Sequence, residues 1–145
     1  MMRDIILTDA YIQNNEDSTN INLNISSSGK KNLKKYPYLL VVQSIQEDFT
    51  RLTIYPVKIK NLIKVSLCGL KISDEANTIY LSLAKTLQNY EIIHTSGLLI
   101  QGNKLYFECY LNLSLSDVKT RGLNAALNKI KNIFKDIRIE EIGLK

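Results

Sequence analysis

The sequence of 145 residues has no tryptophan, one histidine, two cysteines and two prolines. Each shortage narrows the functions open to it. A zinc site built from one chain wants about four ligands. His94 has only Cys68 and Cys109 for company, and strand alternation puts those two on opposite sheet faces. Two cysteines far apart in a chain read as intracellular make no disulfide framework. Arginine, the usual reader of bases, is limited to Arg3, Arg51, Arg121 and Arg138. No apolar run approaches the roughly 18 residues of a membrane span. Met1-Met2-Arg3-Asp4-Ile5 carries an acid where a secretion signal is basic and then apolar. The expected location is cytoplasmic.

The hydrophobic fraction, 45%, is ordinary for a globular protein. The length suits one domain, or one domain with an elaboration, whose core needs neither metal nor disulfide. The net charge of +5 is spread along the chain. Its one dense cluster is Lys30, Lys31, Lys34 and Lys35, which reads either as a solvated loop or as a patch for phosphates. The neighbouring Gly29-Lys30 pair lacks both the earlier glycine and the following Ser/Thr of a phosphate loop.

Along the chain, Asp4–Gln13 reads as a strand and Asn20–Ile25 alternates with period two, so a hairpin across the polar turn at Asn14–Ser18 is expected. Tyr38–Val42 is a continuous apolar run, hence a buried strand. Phe49–Val57 follows, with Pro56 confining it to an edge. Residues 1–60 are therefore expected to form an antiparallel β-meander, with Lys58–Asn61 as the boundary, packed on the rest.

Residues 61–145 are more regular. Ile63–Leu70 is a strand. Ser73 is a candidate N-cap with Asp74 and Glu75 behind it, and Ala76, Ile79, Tyr80, Leu83, Ala84 and Leu87 form one helical stripe. Glu91–Ile100 is a strand with a bulge at Gly97. Gly102-Asn103 suits a tight hairpin. Lys104–Leu113 alternates, with Leu105, Phe107, Cys109, Leu111 and Leu113 facing in. Ser114 and Asp117 approximate a capping box for a helix with Val118, Leu123, Ala126, Leu127, Ile130, Ile133, Phe134 and Ile137 inward. Ile137–Leu144 closes the sheet. The order β-α-β-β-α-β is the ferredoxin-like unit. The expected fold is thus α+β: an N-terminal antiparallel β-meander followed by a ferredoxin-like unit.

Val65-Ser66-Leu67-Cys68-Gly69, then Asp74-Glu75-Ala76-Asn77-Thr78-Ile79, then Leu83-Ala84, Leu87 and Ile92, resemble the ACT family, small ferredoxin-like domains that bind amino acids and regulate enzymes or transcription. The resemblance covers residues 63–145. In that family the aspartate is typically followed, three residues later, by a glycine, and Asn77 occupies that place. It implies a regulatory, ligand-sensing module with no cofactor, in which Gly69, Ser73, Asp74 and Asn77 contact a small-molecule effector; a homodimer is expected through exposed strand edges or the open sheet face. The plainer reading is that Ser73 and Asp74 only cap a helix. The segment from Glu91 to Leu144 also looks like the cytosolic domain of cation-diffusion transporters, whose metal sites need several histidines.

Two other classes remain. RNA-recognition domains of this topology stack bases on strand aromatics, so Tyr106 and Tyr110, with Lys30, Lys31, Lys34 and Lys35, define a nucleic-acid alternative. A purely structural assembly subunit is the third reading. No catalytic constellation is visible. Cys109 faces inward, where a thiol is inert packing, and Asp74-Glu75 and Glu140-Glu141 are sequence neighbours whose side chains diverge.

Overall fold

The computed structural model describes residues 6–15, 34–70 and 76–145. The first sheet is built from the strands β1 (Asp9–Asn14), β2 (Tyr38–Ile45) and β3 (Thr50–Val57), antiparallel in the order β1-β2-β3. The apolar run Leu39–Val42 makes β2 the central strand, buried on both faces. β3 pairs with β2 alone, so Pro56, opposite Leu39, lies where no second ladder asks for its missing N–H. The stretch Asn20–Ile25 lies outside the described residues.

A second sheet follows with β4 (Leu62–Leu70), α1 (Ala76–Leu87), β5 (Ile92–Thr95), β6 (Leu99–Gln101), β7 (Lys104–Leu111), α2 (Lys119–Asn128) and β8 (Asp136–Ile142). Its order is β5-β7-β4-β8, with β6 also on β7, and every pair is antiparallel. β4 and β7 are central, which is why they are buried almost end to end.

The strand expected over Glu91–Ile100 is two strands. Gly97 adopts a φ of 75° between them. Ser96 donates its N–H to the Glu108 carbonyl and takes the Glu108 N–H on Oγ, so the ladder is carried across the break by a side chain. In the β6–β7 hairpin Gly102 alone has positive φ, 63°, and Asn103 does not. That is the type II′ pattern, with glycine at the first central position.

The helices are narrower than their apolar patterns. Among the side chains described in α1, Ile79, Leu83 and Leu87 are buried, and Tyr80 and Ala84 face solvent. In α2 the buried set is Thr120, Leu123 and Leu127. The helix ends at Asn128, so Ile130, Ile133 and Phe134 enter the core from the turns behind it. Val118 is exposed, contrary to its place in the expected stripe. Asp117 caps directly, its Oδ1 accepting the Lys119 N–H, while the Ser114 carbonyl takes the Thr120 hydroxyl. Ser114 thus uses its carbonyl rather than the hydroxyl a capping box requires.

Alternation sorts the second sheet into two faces. Ile63, Val65, Leu67, Phe107, Cys109 and Leu111 lie under α1 and α2 in the larger core. Leu62 and Tyr110 lie on the other face, packed against Ile12, Leu40, Val42 and Val57 of the first sheet. The molecule has three layers: helices, second sheet, first sheet. Cys68 and Cys109 are both buried, form no disulfide, and lie on opposite faces. Among the described residues no helix is long and apolar enough to cross a membrane.

Candidate ligand pocket between the two sheets

The face of β7 toward the first sheet carries Tyr106, Glu108 and Tyr110, at 2%, 1% and 0% exposure. A carboxylate at that depth must be bonded on all sides. Glu108 accepts the N–H groups of Leu7 and Thr8 at 2.9 and 2.8 Å and the Thr8 hydroxyl at 2.6 Å. Lys64 on β4 stands 3.3 Å from the same carboxylate and donates to the Thr8 carbonyl at 2.7 Å. Thr8 gives its one hydroxyl proton to Glu108, so the Tyr110 hydroxyl, 2.8 Å away, donates to Thr8. Burial pushes the Glu108 carboxyl upward, but the Thr8 hydroxyl, the Leu7 N–H, the Lys64 charge and the Thr8 N–H outweigh it, and the net shift is downward. Glu108 is therefore an ionised strap that ties residues 7–8 to the second sheet.

Beyond this strap, toward the end of β2 and the start of β3, side chains do not fill the gap between the sheets. A pocket of about 410 Å³ remains there. Val42, Ser44, Arg51 and Thr53 form the wall from the first sheet. His94, Thr95, Ser96, Leu99 and Gln101 form the wall from β5 and β6, and residues 6–8 run along the side. Its size is within the range of small-molecule sites.

His94 is the pivot. Its Nδ1 lies 2.6 Å from the Tyr55 hydroxyl across the two sheets, and its ring meets Tyr55 and Tyr110 edge-on, with centroids 5.6 and 6.0 Å away. Burial, then the charge of Arg51, holds the imidazole below its ordinary value, so it is neutral at neutral pH. Burial raises the Tyr55 phenol, which stays protonated. The sequence held no signal for this group. Arg51, Tyr55 and His94 lie on different strands and belong to no local motif. Glu108 carried a weak one, a charge between two tyrosines in a strand whose other face is apolar.

The residues singled out from the sequence fall elsewhere. Gly69 is explained by packing: a Cβ there would stand 2.1 Å from the Ile133 carbonyl oxygen. Asn77 is exposed near the start of α1. Ser73 and Asp74 lie outside the described residues, as do Lys30 and Lys31. Lys34 and Lys35 are exposed before β2, near Asn14 and Asn15. Tyr106 and Tyr110 are buried and present no ring to a base. Of this set, the described Lys34 and Lys35 are exposed while Tyr106 and Tyr110 are buried, so these four do not form one surface.

Burial and the neighbouring Glu108 push the Cys109 thiol up to about 12. Among the described residues no group of three or more His, Cys, Asp or Glu is placed to hold a metal ion. No protein-family model matches the chain, and no curated protein is significantly similar to it.

Proposed function

We propose that this protein is a non-enzymatic regulatory module that senses a small molecule, and that its second sheet with α1 and α2 is a ferredoxin-like unit of ACT type. The strand order β5-β7-β4-β8 with both helices on one face supports the second part. The observation that carries the first is the pocket of about 410 Å³ between the sheets. Its described lining holds no carboxylate and no thiol, and its imidazole is already bonded to Tyr55. Such a lining binds and orients; it lacks the paired acid and base of a catalytic site. In this reading the ligand lies between the two sheets rather than at the start of α1. The exposed strands β3 and β6 are the edges through which a homodimer would form.

Thermal melting of the full chain against the twenty amino acids and a set of small metabolites tests this, with light scattering for the oligomeric state. A ligand at 100 times its Kd stabilises by about 2.7 kcal/mol, a shift of several degrees at this size. A selective shift abolished by Thr53→Trp, which fills the pocket, is expected. A flat response across the whole set retires the sensing reading.

A further inference from the structure

Among the described residues lining the pocket, Arg51 is the one charged side chain, and no aspartate or glutamate joins it there. Among the described residues its guanidinium forms no ion pair. Its Cζ lies 6.0 Å from the centre of the Phe49 ring, a contact with the aromatic face that leaves the fork of N–H donors available. That charge is felt inside the pocket, where it acts on His94. A guanidinium beside a concave, half-apolar site matches a carboxylate, which it holds bidentately. An amino acid would bring an ammonium as well, and the described lining has no carboxylate to receive it. Apolar surface for the rest of a ligand is supplied by Val42, Ile45 and Leu99.

Resting on the ligand-binding reading above, we infer that the pocket takes a small organic monoanion, a carboxylate with an uncharged and partly apolar remainder. The carboxylate lies against Arg51, and the remainder lies between His94 and the apolar wall. Selection works by subtraction. A zwitterion or a cation would bury an ammonium without an acceptor of opposite charge, a cost that a carboxylate alone avoids.

The single histidine of the chain makes the test specific, because every imidazole signal belongs to His94. The full-length protein with labelled histidine is titrated with short-chain, branched and aromatic carboxylates. Each is matched with its amino acid, amide and alcohol, and melting is followed in parallel. Expected are saturable shifts of the His94 ring signals with at least one carboxylate, weaker response to the matched amino acid, and none to the cation leucinamide. Arg51→Gln should weaken the carboxylate by about tenfold or more without changing the melting temperature of the free protein, and Arg51→Lys should restore part of the loss. If amides or alcohols move the His94 signals as strongly as carboxylates, and Arg51→Gln changes nothing, the monoanion inference fails while the pocket reading stands. If no compound moves them, both fail.

Discussion

Glu108 shows how much one side chain can decide. Three hydrogen-bond donors and a buried ammonium converge on its carboxylate, so its removal leaves Lys64 at 5% exposure without its counter-charge. Breaking one partner of such a pair costs about 3–5 kcal/mol, whereas replacing both with apolar groups is often neutral. Glu108→Ala is therefore expected to lower the urea midpoint sharply, and Lys64→Met with Glu108→Leu to recover much of it. An equal loss in the double variant would show that the pair is not the unit that matters. His94 titrates in its own window. Its folded value lies below the ordinary 6.5, so the unfolded chain holds the proton more readily. That contribution to stability is complete above about pH 6.5 and fades as the pH falls through the folded value. Urea midpoints at about pH 7.5 and about pH 5.5 should differ in the parent protein and converge in His94→Gln. Glu108, also lowered, loses its contribution in the same direction but only below the ordinary 4.5.

Among the elements, β4 shows what a close approach demands. Gly69 sits under the turn after α2, where the Ile133 carbonyl occupies the place of a side chain. Gly69→Ala must push that turn and Phe134 away from the core, at a cost of about 1–3 kcal/mol, readable as a lowered melting temperature. Gly97→Ala meets no atom within 4 Å, but its φ of 75° makes it costly through the backbone instead. Much of the element order was legible because β7 keeps its period and the β5–β6 and β6–β7 connections carry Gly97 and Gly102. The β7 alternation sorted Leu105, Phe107, Cys109 and Leu111 correctly to one core. The outer face was less legible. Alternation places Tyr106, Glu108 and Tyr110 away from the helices but reports only that a side chain points away from one layer, not which layer covers it. The helix stripes read too wide: Tyr80 and Val118 fit the period but are exposed, and Val118 lies ahead of the first residue of α2. The pocket was illegible since Arg51 and His94 meet only after two separate sheets have been stacked.

For the molecule as a whole, the second sheet is the shared middle layer. Tyr110 and Leu62 belong to the core under the first sheet, and Lys64 and Glu108 find their partners in residues 7–8. A chain of residues 61–145 alone would bare that face with its ion pair. It is expected to bind a hydrophobic dye and to lose near-ultraviolet dichroism, while the full chain unfolds in one transition. A fragment with dispersed spectra and the parent's midpoint would show that the first sheet contributes no stability to the second. β1 is also stitched to the segment after β8: Ile12 gives its N–H to the Gly143 carbonyl, and its own carbonyl takes the Lys145 N–H. Ribosomes deliver protein from the N-terminus, so β1 leaves the exit tunnel long before either of these partners exists. Thr8 waits 100 residues for Glu108. Until Tyr110 has been made, then, Ile12, Leu40, Val42 and Val57 have no complete layer to lie against. That interval calls for a chaperone or for fast elongation, and it is during synthesis, more than in the finished protein, that this architecture is exposed to aggregation.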